Sequence, residues 1–201
     1  MKTAMAAGTL TPTSSSSVSI AILLSALLVA GTHAEVTSDV PSTLLPACKT
    51  VGGGSAFFDV EFCVAALGSD GRSANAGASY HTYSVVAADL LAANATATAA
   101  KISRLLREGG VGGEDAATAR RLRLRSCQAL YGGVVRAQPA CAAAVRATRK
   151  GEATACLERA ASAVRECEDG FGKSKVASPV TAENDAGFKL AKLAVALLRY
   201  V

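Results

Sequence analysis

Residues 127–167, CQALYGGVVRAQPACAAAVRATRKGEATACLERAASAVREC, decide the fold, because they place four of the six cysteines around one turn. The turn is predicted at Lys150-Gly151, with a helical pattern on each side. In two antiparallel helices joined by a turn, a cross-link joins positions that are equally far from that turn. Two pairs satisfy this condition, Cys127 with Cys167 and Cys141 with Cys156, whereas the crossed pairs have midpoints several residues apart. The stretch therefore predicts an antiparallel helix pair.

The cysteine spacing agrees with this pairing. Within each helix, the two cysteines are separated by close to a whole number of turns at 3.6 residues per turn. Each helix therefore presents both of its cysteines on one face. The alternative for Cys141 and Cys156 is a pair of buried free thiols, and the sequence leaves it open.

Working outward, two more segments with helical patterns flank this pair, one before it and one after it. A long helix is predicted from Ser73 to about Arg107, ending at the glycine-rich residues 109–113. The helix that begins at Glu114 follows, then the third from Glu152 to about Phe171. Thr181 is predicted to cap the last helix. Residues 73–201 are therefore expected to form an up-down four-helix bundle.

Before the bundle, residues 35–72 are expected to form a short N-terminal helical hairpin. A helical or irregular arm from Val36 to Thr50 is separated from a helix at Phe57 to Leu67 by three glycines. Cys48 and Cys63, the two cysteines that the helix pair leaves unused, then close the hairpin.

Composition supports an all-α, disulfide-stapled fold. Of 201 residues, 50% are apolar but only 4% are aromatic, and alanine is the commonest residue. Such a composition favours helices over a large sheet, since alanine loses no side-chain entropy in a helix. The high apolar fraction also excludes wholesale disorder.

Residues 1–34 are expected to be a signal peptide. Lys2 precedes an apolar run from Val18 to Ala30, and Thr32-His33-Ala34 supplies small residues for cleavage before Glu35. The alternative is a retained anchor, for which the run is short. We expect a soluble secreted protein with no membrane contact in its mature form. In an oxidising compartment six cysteines favour disulfides, and Asn94-Ala95-Thr96 becomes a candidate glycosylation site.

Positive charge is concentrated in the middle of the chain. The excess centres on four arginines that form a candidate partner-binding face: Arg120, Arg121, Arg123 and Arg125. We expect no nucleic-acid partner for a secreted chain without interleaved aromatic residues, so an acidic protein surface or an anionic wall polymer fits better. A solvated helix face is the simplest alternative.

Catalysis has little to build on in this sequence. His81 is the only histidine after residue 34, and a single helical histidine is more often structural. The acidic residues Glu166, Glu168 and Asp169 are interpreted as the surface of a helix end. We expect no enzyme activity, no metal site and no cofactor.

Six short motifs follow one another along the chain: Cys48-Lys49-Thr50, Phe62-Cys63-Val64, Leu67-Gly68-Ser69-Asp70-Gly71-Arg72-Ser73, Cys127 through Leu130-Tyr131, Cys167-Glu168-Asp169-Gly170-Phe171 and Ser178-Pro179-Val180-Thr181-Ala182-Glu183-Asn184. Together they resemble the plant invertase and pectin methylesterase inhibitor family, most of all the branch that includes pollen allergens. The resemblance implies the hairpin and four-helix bundle, with disulfides matching Cys48–Cys63 and Cys127–Cys167.

The resemblance also implies a function. It predicts an inhibitor that is secreted to the apoplast or cell wall rather than the vacuole and binds its target enzyme in a 1:1 complex. Invertase-blocking members carry Pro-Lys-Phe after the central turn, where this chain has Glu152-Ala153-Thr154-Ala155. We therefore expect pectin methylesterase as the target, with acid invertase as the alternative. A non-inhibitory protein that contacts pectin through Arg120 to Arg125 is the further alternative.

Overall fold

The computed structural model describes residues 43–75, 77, 79–108 and 114–201, apart from the side chain of Glu114. The expected signal peptide and the first residues of the expected hairpin lie outside the described residues. Every element of the described part is an α-helix. The elements are α1 (Leu44–Gly52), α2 (Val60–Gly68), α3 (Gly71–Asn75), α4 (Tyr80–Glu108), α5 (Glu114–Arg146), α6 (Lys150–Lys173) and α7 (Thr181–Leu198).

Helices α1 and α2 form the hairpin. The Cys48–Cys63 disulfide joins them, with its Cα atoms 5.6 Å apart. A Cβ at Gly52 would lie 3.2 Å from the backbone nitrogen of Val60, so this close approach favours glycine. Asp59 caps α2, since its Oδ1 accepts a hydrogen bond from the backbone N–H of Phe62 at 2.7 Å.

The prediction of one unbroken helix from Ser73 to about Arg107 is wrong at its start. The chain forms the short α3, then turns, and α4 begins only at Tyr80. Gly77 has a φ of +57° in this turn, a left-handed conformation that interrupts a helix. The hydroxyl of Ser79 accepts a hydrogen bond from the backbone N–H of Thr82 and so caps the first turn of α4.

Helices α4–α7 form the bundle. Helix α4 packs against α5 and α7, and α6 packs against the same two helices, as expected for an up-down arrangement. The largest fully buried side chains of the bundle are Tyr83, Leu91, Ile102, Tyr131, Leu157, Phe171, Leu193, Leu197 and Leu198. The all-α bundle expected from the sequence is confirmed.

Helix α4 is long and apolar enough to cross a membrane by length and composition, the one such helix among the described residues. Sequence reasoning did not single it out. In the fold its apolar side chains pack into the bundle core, and its Asp89 accepts hydrogen bonds at 2.7 Å from both Arg72 and Arg146.

The turn between α5 and α6 lies before the predicted Lys150-Gly151, because α6 already begins at Lys150. After α5, the N–H of Arg149 donates to the carbonyl of Ala144, and the N–H of Thr148 donates to that of Val145. This pair of bonds is the Schellman motif, in which the residue at the position of Thr148 adopts a left-handed conformation. Thr148 does so with a φ of +52°, although glycine is the usual residue there.

The prediction that Thr181 caps α7 is also wrong. The N-cap position belongs to Val180, and Thr181 is the first helical residue. Its hydroxyl instead donates to Glu168 Oε1 on α6 at 2.7 Å. The threonine therefore joins two helices rather than capping one.

Candidate functional site

The four arginines of the predicted basic face are divided by the rotation of α5. Arg121 and Arg125, one turn apart, are exposed beside Leu122, whose side chain is 55% exposed. Arg123 points towards the end of α6, where its Nε donates to Ser174 Oγ at 2.5 Å. Arg120 is half-buried in the wall of a cavity between α4, α5 and the loop before α7. Two of the four side chains therefore remain on the outer surface.

Two further arginines extend this surface. Arg136 is exposed about three turns beyond Arg125 on the same side of α5, and Arg159 is exposed on α6. Within the part of the chain that the structure describes, Arg121, Arg125, Arg136 and Arg159 form no ion pair. We call Arg121, Leu122, Arg125, Arg136 and Arg159 the α5–α6 face. Its charge is uncompensated, which favours an acidic partner.

A groove of about 400 Å³ runs between α5 and α6, and of these arginines Arg159 contributes to its lining, whereas Arg121 lines the cavity between α4 and α5. Small side chains leave the space open: Ala129, Gly133, Ala137, Ala160 and Ala163. Gln138 also lines the groove and is only 7% exposed. Its Oε1 is buried and accepts no hydrogen bond from any described residue.

An unsatisfied buried amide is costly, by about 1–3 kcal/mol. Sequence reasoning missed Gln138, since a glutamine in a helix carries no signal until the neighbouring helix covers it.

Two disulfides join the helices on either side of the groove. Cys141–Cys156 joins α5 to α6 near their turn, with Cα atoms 5.6 Å apart, and Cys127–Cys167 joins them farther along, with Cα atoms 4.9 Å apart. These are the two pairs that the mirror relation predicts. The α5–α6 face is therefore carried by two covalently linked helices, which limits the ordering cost of binding.

A buried polar chain holds α5, α6 and α7 together behind this face. The Tyr131 hydroxyl donates to Asn184 Oδ1 at 2.7 Å, and Asn184 Nδ2 donates to Glu168 Oε2 at 2.6 Å. Burial raises the pKa of Tyr131 far above its ordinary value, so it stays a hydrogen-bond donor. Glu168, interpreted from sequence as helix-end surface, thus accepts bonds from both Asn184 and Thr181.

The remaining candidates occupy ordinary positions in the fold. His81 Nε2 lies 3.1 Å from the carbonyl oxygen of Arg146, which it contacts between α4 and the end of α5. Glu166 and Asp169 are exposed on α6. Among the described residues, no group of three or more histidine, cysteine, aspartate or glutamate side chains could hold a metal ion.

The glycosylation candidate Asn94 lies in the middle of α4. Its Oδ1 is buried, without a hydrogen-bond partner among the described residues, and faces Gly187 of α7 at a distance that leaves no room for a Cβ there. Glycosylation of Asn94 stays a prediction, and a glycan on this amide would have to leave the bundle past α7.

Comparison with known protein families places this geometry in context. The family model described as plant invertase/pectin methylesterase inhibitor matches residues 46–197, which include all seven helices apart from the terminal residues of α1 and α7. The resemblance seen in the sequence motifs is thereby confirmed. No curated protein matches the chain.

Proposed function

Because the chain belongs to the plant invertase/pectin methylesterase inhibitor family, we propose that it is a secreted inhibitor of cell-wall pectin methylesterase. Members of this family are extracellular inhibitors rather than enzymes, so the protein acts by binding. It forms a 1:1 complex in the apoplast and covers the substrate cleft of its target. Inhibition of this kind needs no chemistry from the inhibitor, only a rigid surface of the right shape and charge.

The observation that supports this proposal is the α5–α6 face. It presents four exposed arginines without ion partners among the described residues, and one of them, Arg159, lines a groove with small side chains between the two helices. Uncompensated charge at an interface rim accelerates association with an acidic surface, while a groove accepts a projecting side chain and slows dissociation. Exposed Leu122 adds an apolar contact of the kind found near interface centres.

Pectin methylesterase is preferred over acid invertase because of the first turn of α6. The Pro-Lys-Phe triplet that the resemblance associates with invertase binding is replaced here by Glu152-Ala153-Thr154-Ala155. Glu152 is exposed and accepts a hydrogen bond from Arg149 Nε at 2.9 Å, and Ala153 is fully buried. The turn thus presents a carboxylate where an invertase inhibitor presents a lysine and an aromatic ring.

The deciding experiment assays the protein in parallel against one pectin methylesterase and one acid invertase, with size-exclusion chromatography of each mixture. We expect loss of esterase activity, a stoichiometric complex with the esterase, and unchanged invertase activity. Inhibition of invertase alone would select the alternative target. Failure to inhibit either enzyme would contradict the proposal.

Charge reversal locates the interface. In R121E/R125E we expect association with the esterase to slow by about tenfold at low ionic strength, and the difference to shrink in high salt as charges are screened. K49E/R104E makes the same change in net charge at exposed sites on α1 and α4 and serves as the control. Equal association rates for the parent and R121E/R125E at both salt concentrations would show that these arginines are only solvated surface.

A further inference from the structure

A second groove, of about 410 Å³, lies between the α1–α2 loop and the last turns of α7. The residues that line it come from α1, this loop, α6, α7 and the residues after α7, so it is separate from the α5–α6 face. Its lining combines aromatic rings, cationic groups and a carboxylate, unlike the small apolar side chains of the α5–α6 groove. This mixture is typical of sites for polar ligands that also have an apolar face.

Exposed aromatic rings concentrate at this groove. The described residues include four exposed large hydrophobic side chains, and two of these line the groove: Phe57, 46% exposed, and Tyr200, 52% exposed. Phe57 packs edge-on against Phe188, with ring centroids 5.8 Å apart, and Tyr200 stacks on Tyr80 at 5.0 Å. Both rings are therefore held by a neighbour while part of each stays open to a ligand.

The charges of the groove leave one cation uncompensated. Lys192 Nζ lies 2.5 Å from Glu158 Oε2 and 4.8 Å from the centroid of the Phe57 ring. Arg199 also lines the groove; it is exposed and forms no ion pair within the described part of the chain. One guanidinium is thus available for an anion, next to a Lys–Glu pair that can donate to and accept from hydroxyl groups.

We propose that this groove binds an acidic sugar, a hexuronate unit of an oligosaccharide. The carboxylate pairs with Arg199 in the fork geometry that guanidinium groups favour. The C–H face of the pyranose ring lies on the exposed aromatic ring of Phe57 or Tyr200, because polarised C–H groups are attracted to the negative face of an aromatic ring. Sugar hydroxyls bond to Glu158 and Lys192. A neutral sugar would leave Arg199 unused, and a flexible acidic peptide has no ring face to stack.

The test is calorimetric titration of the purified protein with a trimer of galacturonic acid. Its methyl ester, a neutral galactose trimer and a glutamate tripeptide are the comparison ligands. We expect R199Q to weaken binding of the acid trimer at least tenfold and F57L to weaken it about fivefold. The matched control R121Q/R125Q on the α5–α6 face should bind it like the parent.

Three results would each overturn the proposal: no binding of the acid trimer by the parent, equal affinity for the neutral trimer or the peptide, or equal affinity in the parent and R199Q. Thermal melts of each variant show whether it is folded. The proposal is independent of enzyme inhibition, because R199Q should inhibit the esterase as the parent does. If the parent bound the acid trimer but did not inhibit the esterase, the result would contradict the proposed function alone.

Discussion

Single residues determine how the three helices behind the α5–α6 face are held in register. Tyr131, Asn184 and Glu168 each come from a different helix, and their side chains form one continuous hydrogen-bonded chain. Since Tyr131 and Asn184 are buried, neither can exchange its partner for water. The stability of this region therefore depends on all members being present.

Removing one side chain of this network should destabilise the protein by more than the net contribution of one hydrogen bond, because its partner stays buried without one. We expect Y131F to destabilise the protein by about 1–2 kcal/mol and N184A by about 2–3 kcal/mol, because each leaves a buried group unsatisfied. The double variant Y131F/N184A should cost less than the sum of the two, as residues in one network are coupled. Urea unfolding measures all three, with S126A at an exposed site as the control. Additive costs would contradict the coupling.

Glu183 gives the protein a component of acid sensitivity. Burial raises the pKa of its carboxyl. The hydrogen bonds from Lys101 and from its own backbone together lower the pKa by more than burial raises it, so the pKa lies below the ordinary 4.5. Lys101 Nζ is 2.5 Å from Glu183 Oε1. The folded state thus binds fewer protons than the unfolded state, and this stability is present above pH 4.5 and is lost as the pH falls through the folded pKa.

In E183Q that contribution is absent at every pH. We expect E183Q to melt at a lower temperature than the parent at pH 7, and the gap to close as the pH falls below 4.5. Melting curves recorded in steps from pH 7 to pH 2.5 measure the gap. E166Q removes one carboxylate from the exposed side of α6 and is the control. A gap of the same size at pH 3 and pH 7 would rule out this role for Glu183.

At the scale of the elements, two helices end on left-handed residues that are not glycine. Thr148 follows α5, and Lys175, with a φ of +53°, follows α6. Both occupy the same position of a Schellman motif, since the N–H of Val176 donates to the carbonyl of Phe171 just as Arg149 donates to Ala144. Each side chain therefore adds a steric cost that glycine would not have.

Glycine at position 148 should stabilise the protein. We expect T148G to raise the free energy of unfolding by about 0.5–1 kcal/mol, because relief of left-handed strain exceeds the added entropy of the unfolded chain. A155G, at an exposed position inside α6, should instead lower it by about 1 kcal/mol. Chemical denaturation separates the two variants. Destabilisation in T148G would mean that the threonine side chain contributes more than its backbone conformation costs.

At the scale of the whole molecule, three disulfides hold the described chain together. Cys48–Cys63 and Cys141–Cys156 each have a sequence separation of 15, and Cys127–Cys167 has one of 40. In the chain-entropy account, the longer loop restricts the unfolded state more. The free energy of unfolding of a domain of this size is only about 5–15 kcal/mol, so the disulfides contribute a large part of the stability.

Reduction should therefore lower the melting temperature markedly. We expect C141S/C156S to lose about 3 kcal/mol and C127S/C167S about 4 kcal/mol. Circular dichroism melts with and without reductant test this, and non-reducing peptide mapping of the parent should recover the three pairs. An unchanged melting temperature in reductant, or free thiols at positions 141 and 156 in the parent protein, would contradict the prediction.

Most of the architecture follows from the sequence by itself, and the reason is that its signals are local or covalent. The number of bundle helices and the antiparallel pair depend on periodicity and on cysteine positions relative to a turn, which can be read along the chain. The errors fall where a local signal misled: Gly151 suggested a turn that Thr148 actually makes, and Thr181 resembled a cap although its partner, Glu168, lies on another helix.

The functional surfaces were decided only by the tertiary structure. The sequence alone does not distinguish the four arginines at positions 120, 121, 123 and 125. In the structure, α5 exposes Arg121 and Arg125, whereas Arg120 and Arg123 lie against neighbouring groups. Phe57 and Arg199 are 142 positions apart in the chain and line one groove. Local propensity cannot predict such meetings, because they depend on how separate helices are rotated and packed against one another. The sequence thus determined the four helices of the bundle and their order, whereas the folded structure determined the break between α3 and α4 and which side chains remain for a partner.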